Sequence, residues 1–311
     1  MTQRNILVTG GAGNVGGSLC CKLVESPGNF IIIVDNLSTG SRDKLPPAEY
    51  KNWKFIKADV NDMHQISAIM LSHQIHVVFH YAAVVGVERT LANPVNVLND
   101  ISGIQNILEI SKNTHVGRIF YSSSSEVYGE PVEIPQHEHT TPLNSRLPYA
   151  IVKNVGEAYC RSYFQEYGLN YTVMRFFNTY GSRQSDDFVV PRFIKAALRN
   201  EPLRLYGDGS QTRTFCHADD NVEAIIRMLD ENLYINEVVN IGNDEEISIL
   251  ELAQKIIRIT GSKSKIEHLP SLKEGDMTRR KPDITKMKNI LNRPLVNIEE
   301  GIRRLADTMR S

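Results

Sequence analysis

A strand-like apolar run that ends in evenly spaced glycines constrains this chain more than any other feature. Residues 5–9 (NILVT) read as a buried parallel strand, GGAGNVGG comes next at 10–17, and a helix is expected through about Glu25. Gly10, Gly13 and Gly16 recur at every third position. Gly10 suits a turn that a side chain forbids. At Gly13 the bare backbone lets a diphosphate reach the helix N-terminus, with Asn14 and Val15 beside it, and at Gly16 helix and strand can pack closely. A glycine pattern alone is weak, but strand, turn and helix stand here in the required order. A second strand, FIIIVD (30–35), ends in Asp35, placed to accept from a ribose 2′-hydroxyl. A 2′-phosphate would be repelled there, so the reading favours NAD over NADP.

Strands and helices alternate from that point. WKFIK (53–57) and HVVFH (76–80) extend the strand series, with a helix over 62–72 between them. Asn93-Pro94 reads as an N-cap with proline at the first helical position, ahead of Val97, Ile101, Ile104 and Leu108 at helical spacing. RIFYS (118–122) is another strand, Pro148 starts a helix, and NYTVMRF (170–176) is a sixth strand. This order predicts an α/β fold, a Rossmann-type parallel sheet with right-handed crossovers. Near 178–184 the rhythm changes. LRLY (203–206) and EVVNIG (237–242) read as strands and 219–230 as a helix. Ser248 with Glu251, and Asn297 with Glu300, have N-cap spacing. The expected organisation is a cofactor-binding domain over 1–180 and a smaller substrate-binding domain over 181–311, with some segments interleaving.

The candidate chemistry lies in two stretches, SSSSEVYG (122–129) and YAIVK (149–153). Tyr149 and Lys153 are four apart and share one helix face. Tyrosine is a poor base at its ordinary pKa of about 10. A neighbouring ammonium and an oxidised nicotinamide stabilise its phenolate, which can then take a proton from a sugar hydroxyl as hydride leaves the same carbon. Lys153 also reaches the nicotinamide ribose, and Ser124 offers the hydroxyl a second polar contact. Glu126 comes directly after the serines. A binding module without turnover is disfavoured, because both Tyr149 and Lys153 are present.

Composition sets the outer limits. The 311 residues suit two domains, and 41% are apolar, enough for a sizeable core. A formal net charge of −1 argues against a strongly electrostatic nucleic-acid or membrane surface. No run of 18 apolar residues occurs, and the N-terminus enters a strand at once, leaving no room for a secretory leader. Cys20, Cys21, Cys160 and Cys216 form no metal spacing and read as reduced thiols of a cytoplasmic protein, so no metal is expected.

Together these stretches resemble the extended short-chain dehydrogenase/reductases, in particular the group of nucleotide-sugar epimerases, dehydratases and decarboxylases. The resemblance rests on TGGAGNVG, Asp35, YAA (81–83), SSSSEVYG, YAIVK, RFFNTYG (175–181), YGDGSQTRTF (206–215) and VVNIG (238–242), in family order over nearly the whole chain. It implies NAD as cofactor and a nucleotide sugar, UDP-linked, oxidised at C4. It also implies cofactor contacts from Asn36, Asp59, Val60, Ala82 and Asn99, and diphosphate contacts from Asn178 and Arg213. Leu203 and Leu205 match a strand whose backbone borders the base. The helical pair 94–113 and 149–167 would make the contact of a homodimer, or be covered within one subunit.

The fate of the sugar after C4 oxidation stays open at this level. Glu126 and the RRKPDI run (279–284), with Arg280 toward a sugar carboxylate, resemble UDP-glucuronate decarboxylases. Dehydratases also carry the glutamate, but with an aspartate before it where this chain has Ser125. GVERTLANP (86–94), EGDM (274–277) and the short approach to Tyr149 look epimerase-like, although Lys273 stands where epimerases usually have arginine. The preferred expectation is a 4-epimerase working through a transient 4-keto sugar, with decarboxylase or 4,6-dehydratase as alternatives. Asp35→Ala should weaken NAD binding and relax its preference over NADP. Titration calorimetry with both nucleotides checks this, and a wild-type preference for NADP would contradict it.

Overall fold

The computed structural model describes residues 3–270 and 279–310; Lys273 and EGDM lie outside them. In its first part β1 (Arg4–Thr9), α1 (Asn14–Leu23), β2 (Asn29–Asp35), β3 (Trp53–Lys57), α2 (Met63–Ser72) and β4 (Val77–His80) succeed one another. The helices α3 (Val87–Ala92), α4 (Pro94–Leu98) and α5 (Asp100–Ser111) lead to β5 (Arg118–Ser124). A 3₁₀ turn at Ser125–Tyr128, α6 (Pro148–Tyr167) and β6 (Tyr171–Phe176) complete this part. Asp62 caps α2 by accepting from the backbone N–H groups of His64 and Gln65. Asn93 precedes Pro94 as expected but makes no side-chain cap to α4. It also terminates α3, and its amide turns back to the Arg89 carbonyl.

Downstream come β7 (Thr179–Tyr180), α7 (Val189–Leu198), β8 (Leu203–Tyr206), β9 (Thr212–Thr214), β10 (Cys216–His217) and α8 (Ala218–Asp230). After them stand β11 (Glu237–Ile241), β12 (Glu246–Ser248), α9 (Ile249–Thr260), β13 (Ile266–Leu269), α10 (Thr285–Leu291) and α11 (Ile298–Arg310). Ser248 accepts from the Glu251 N–H at 3.0 Å and Asn297 from the Glu300 N–H at 2.9 Å, so both expected caps form.

Seven parallel strands make the main sheet, in the order β3-β2-β1-β4-β5-β6-β11. The order reverses between β1 and β4, and in sheets of this kind ligands bind in the crevice at the carboxyl ends of such a switch point. Alternate residues enter opposite cores. Ile6, Val8, Ile31, Ile33 and Phe79 meet α1, α8 and α10, whereas Leu7, Ile32, Val34, Val78 and Ile119 meet α2, α5 and α6. Both faces are covered, which is why these strands are apolar throughout. A third core joins α7, α9 and α11 to β8 and the flanking strands.

The chain crosses back over the 180/181 boundary. The EVVNIG segment provides β11, which pairs with β6 from Glu237↔Thr172 to Ile241↔Phe176, and α8 and α10 cover the same sheet. Among the described residues, no helix is long and apolar enough to cross a membrane.

A buried polar cluster fixes α6 against this sheet. Glu157 is fully buried; it accepts from Arg175 Nε at 2.8 Å and Nη2 at 2.7 Å, and from Ser123 Oγ at 2.6 Å. Arg175 also donates to Tyr128 Oη at 2.9 Å, and Tyr128 donates to Asn240 Oδ1 at 2.8 Å. Removing one partner of a buried pair strands the other charge, so Glu157→Ala should cost about 3–5 kcal/mol of stability. Urea unfolding checks this; a loss within ~0.5 kcal/mol, as at an ordinary surface position, would refute the role.

Candidate active site

The glycine turn stands at the crevice as the spacing requires. Gly10 has φ +69°, and a Cβ there would lie 2.6 Å from Ala82 N at the end of β4. A Cβ on Gly16 would lie 2.4 Å from the Gly10 carbonyl oxygen, so only glycine lets α1 approach the turn. Gly13 sits at the N-cap of α1, and the Asn14 Oδ1 beside it is buried without a partner. Asp35 accepts from Ala12 N at 3.0 Å and Leu37 N at 2.8 Å, one bond to each carboxylate oxygen. Each oxygen therefore keeps capacity for a ribose hydroxyl. Asn36 donates to Asp59 Oδ2 at 3.2 Å, which joins the two strand ends near which an adenosine would lie; Val60 is buried behind them.

At the other end of the crevice, β5 carries Ser124 and α6 carries Tyr149 and Lys153. Ser124 accepts from Glu126 N at 3.2 Å, and it faces the Tyr149 phenol, whose pKa it lowers. Lys153 is 3% exposed; its Nζ lies 5.6 Å from the Tyr149 ring centre and 5.4 Å from that of Tyr121. Among the described residues it has no hydrogen-bond partner. Burial pulls its pKa down to about 8, against a smaller upward pull from Asp100. Burial pushes the Tyr149 phenol well above its ordinary range, and the Glu126 charge adds to this, while Ser124 opposes it. Glu126 is held by Arg280, Nη2 to Oε1 2.7 Å, with 16% and 8% of these side chains exposed. The structure thus brings the serine run and the RRKPDI run to one place, from opposite parts of the chain.

Other candidates are placed less directly. Asn99 is exposed at the junction of α4 and α5, where the helix pair breaks. Its neighbour Asp100 turns inward instead. It accepts from Val84 N at 2.7 Å and acts on both Lys153 and Tyr149. Sequence reasoning missed Asp100, and an acid in the first turn of α5 was the signal available. Asn178 donates to the Thr214 carbonyl at 3.0 Å and thereby braces β9. Arg213 on β9 is 9% exposed and donates to the Thr212 carbonyl at 2.8 Å. Leu203 and Leu205 bury their side chains in the third core, and β8 pairs with β13 along one edge, with no described strand on the other.

These residues fit an NAD molecule. Gly13 leaves the N-terminus of α1 open to a diphosphate, Asp35 keeps acceptor capacity for ribose hydroxyls, and the buried Lys153 ammonium offers a donor. Residues 6–242 match the family described as NAD dependent epimerase/dehydratase. The chain is 37% identical over 309 residues to the UDP-glucuronic acid decarboxylase 1 of Danio rerio, covering 96% of this chain and 71% of that one. A solved UDP-glucose 4-epimerase with UDP-glucose from Thermotoga maritima superposes with a TM-score of 0.91 at 33% identity, over 98% of both chains. A UDP-glucuronic acid 4-epimerase from Bacillus cereus, solved with UDP-glucuronic acid and NAD, gives 0.87 at 29% identity, over 98% of this chain and 99% of the other.

The depressed Lys153 pKa has a measurable consequence. Between about 8 and the ordinary 10.5 the folded chain holds fewer protons at this site than the unfolded chain. Stability from this site therefore rises with pH through that window. Lys153→Met keeps the stem and discards the charge. Urea midpoints of the cofactor-free protein between pH 7 and 9.5 should shift in favour of wild type relative to Lys153→Met as pH rises. A constant or shrinking difference would contradict the assignment.

Proposed function

The chain belongs to the NAD-dependent epimerase/dehydratase family, and from that premise we propose that it is a 4-epimerase of a UDP-linked sugar. The observation that carries the reading is the union of Ser124, Tyr149 and the buried Lys153 at the mouth of the crevice. When bound, NAD supplies the acceptor and later the donor of hydride. Tyr149 takes the proton of the sugar 4-hydroxyl as the C4–H bond gives up its hydride, and Ser124 orients that hydroxyl. The phenol is disfavoured as phenolate by burial and by Glu126, so the Lys153 ammonium and the positive nicotinamide are what make it a base. The resulting 4-ketone turns over in the pocket, accepts hydride on its other face and regains the proton from Tyr149.

Arg280 bears on the choice of sugar. A guanidinium beside C4 and C5 suits a sugar that carries a carboxylate, as UDP-glucuronate does. The same contact favours a second reading, decarboxylation of that acid, with Glu126 and Arg280 at the carboxylate beside the 4-ketone. Arg213 and Asn178 belong to the proposed diphosphate site, Leu203 and Leu205 to the base site. A cytoplasmic homodimer is part of the proposal, supported by the exposed Val95, Leu98 and Ile151 on α4 and α6.

The test is incubation with UDP-glucose, UDP-N-acetylglucosamine and UDP-glucuronate in deuterated water, with products read by NMR. The epimerase reading expects inversion at C4 without deuterium at C5. A pentose product with no 4-epimer would establish the decarboxylase instead, and obligatory deuterium at C5 without carbon loss would point to dehydration. In each case Tyr149→Phe should lose about 10²–10⁴ in rate while remaining folded.

A further inference from the structure

Arg280 does not stand alone on its strand-like segment. In RRK (279–281) the side chains alternate. Arg280 points inward to Glu126, whereas Arg279 and Lys281 both reach Glu246 on β12. Arg279 Nη2 donates to both Glu246 oxygens, at 3.0 and 2.9 Å, and its Nε adds a third bond at 3.1 Å. Lys281 Nζ lies 3.6 Å from Oε2. Glu246 also accepts from Thr212 Oγ1 at 3.1 Å, and the Arg279 bond chiefly holds its carboxyl below the usual range.

The segment is fastened from its other side as well. Gln136 N donates to the Lys281 carbonyl at 2.8 Å, Asp283 N to the Gln136 carbonyl at 2.9 Å, and Asn240 Nδ2 to the Asp283 carbonyl at 3.1 Å. Those bonds fix the facing of 281–283. Upstream of them, among the described residues, Arg279 and Arg280 make no backbone–backbone bond, so their direction rests on their side chains. Side chains of an extended segment alternate, so holding Arg279 outward favours Arg280 turned toward Glu126.

We propose that Glu246 is a positioning residue for the reaction: by gripping Arg279 and Lys281 it turns Arg280 into the sugar site. Glu246 lies opposite Thr214 in the β9–β12 ladder, beside the Ile247↔Arg213 pair. It therefore joins the arginine proposed for the diphosphate to the arginine proposed for the sugar. This inference rests on the proposed placement of Arg280 at the sugar.

The test combines hydrogen exchange with kinetics on the NAD-loaded enzyme. Glu246→Gln should raise exchange of the Gln136 and Asp283 amides, which bond across the segment, at least tenfold and leave β1 to β6 unchanged. It should lower kcat on the best UDP-sugar by roughly ten- to a hundredfold, the scale of a misplaced group. The same loss should appear in the double variant Arg279→Ala/Lys281→Ala, without adding to that of Glu246→Gln, and should vanish when Glu246→Gln is made in an Arg280→Ala background. Unchanged exchange at Gln136 and Asp283 overturns the clamp. A kcat loss that persists in full beside Arg280→Ala overturns the positioning role in favour of a general structural one. If Arg280→Ala alone is as active as wild type, Arg280 is not at the sugar and the coupling falls with it, while the exchange data still judge the clamp separately.

Discussion

The buried pair of Glu157 and Arg175 is the contact on which the rest of the site depends. Tyr149, Lys153 and Glu157 stand at intervals of four along α6, so they occupy one helix face. Glu157 is the end of that row that the sheet can hold. Its carboxylate takes two bonds from Arg175 on β6 and one from Ser123 on β5. This fixes the rotation of α6 about its axis, and with it the direction of Tyr149 and Lys153. The same arginine touches Tyr128, which reaches Asn240 on β11. The phase of the helix, the turn after the serine run and the last strand of the sheet are therefore set by one hydrogen-bonded group.

The ionisable groups at the reacting end are held in unfavourable states by the same burial that places them. Burial lowers the Lys153 pKa to about 8 and holds Tyr149 further from ionisation than a solvated phenol. In the proposed mechanism each becomes useful when the cofactor changes its surroundings: ribose hydroxyls for the ammonium, a cationic ring for the phenol. Catalytic readiness is in this way tied to occupancy by the cofactor, with Asp100 as the nearby carboxylate that keeps Lys153 partly charged.

Much of this could be read from the chain itself. Buried parallel strands are apolar on both faces, so β1, β2, β4, β5 and β6 stand out as short continuous runs, and glycine at a left-handed turn is hard to replace. The order of Gly10, Asp35, Tyr149 and Lys153 therefore carried both the fold and the candidate centre. Less visible was what depends on pairing at a distance. Nothing local in EVVNIG says which sheet it joins, because edge position is decided by the partner strand. Asn99 and Asp100 are adjacent polar residues at a helix junction, and the backbone angle at the break decides which one faces in. The contact between Glu126 and Arg280 joins the serine turn to a segment near the far end of the chain, and no spacing rule reports it.

The interleaving of the two units limits how the cleft can move. The chain leaves the main sheet after β6, returns at α8, leaves after β11, returns at α10 and leaves again for α11. A hinge works when a few linker residues absorb the whole rotation. Here several separate connections would have to bend together, about a common axis, for one unit to swing on the other. The cleft is thus built like a box with riveted corners rather than a clam shell, and its access is governed by the loops along its rim. Changes in nucleotide choice have to come from replacing side chains on a nearly fixed wall, because the wall itself has few degrees of freedom with which to adapt.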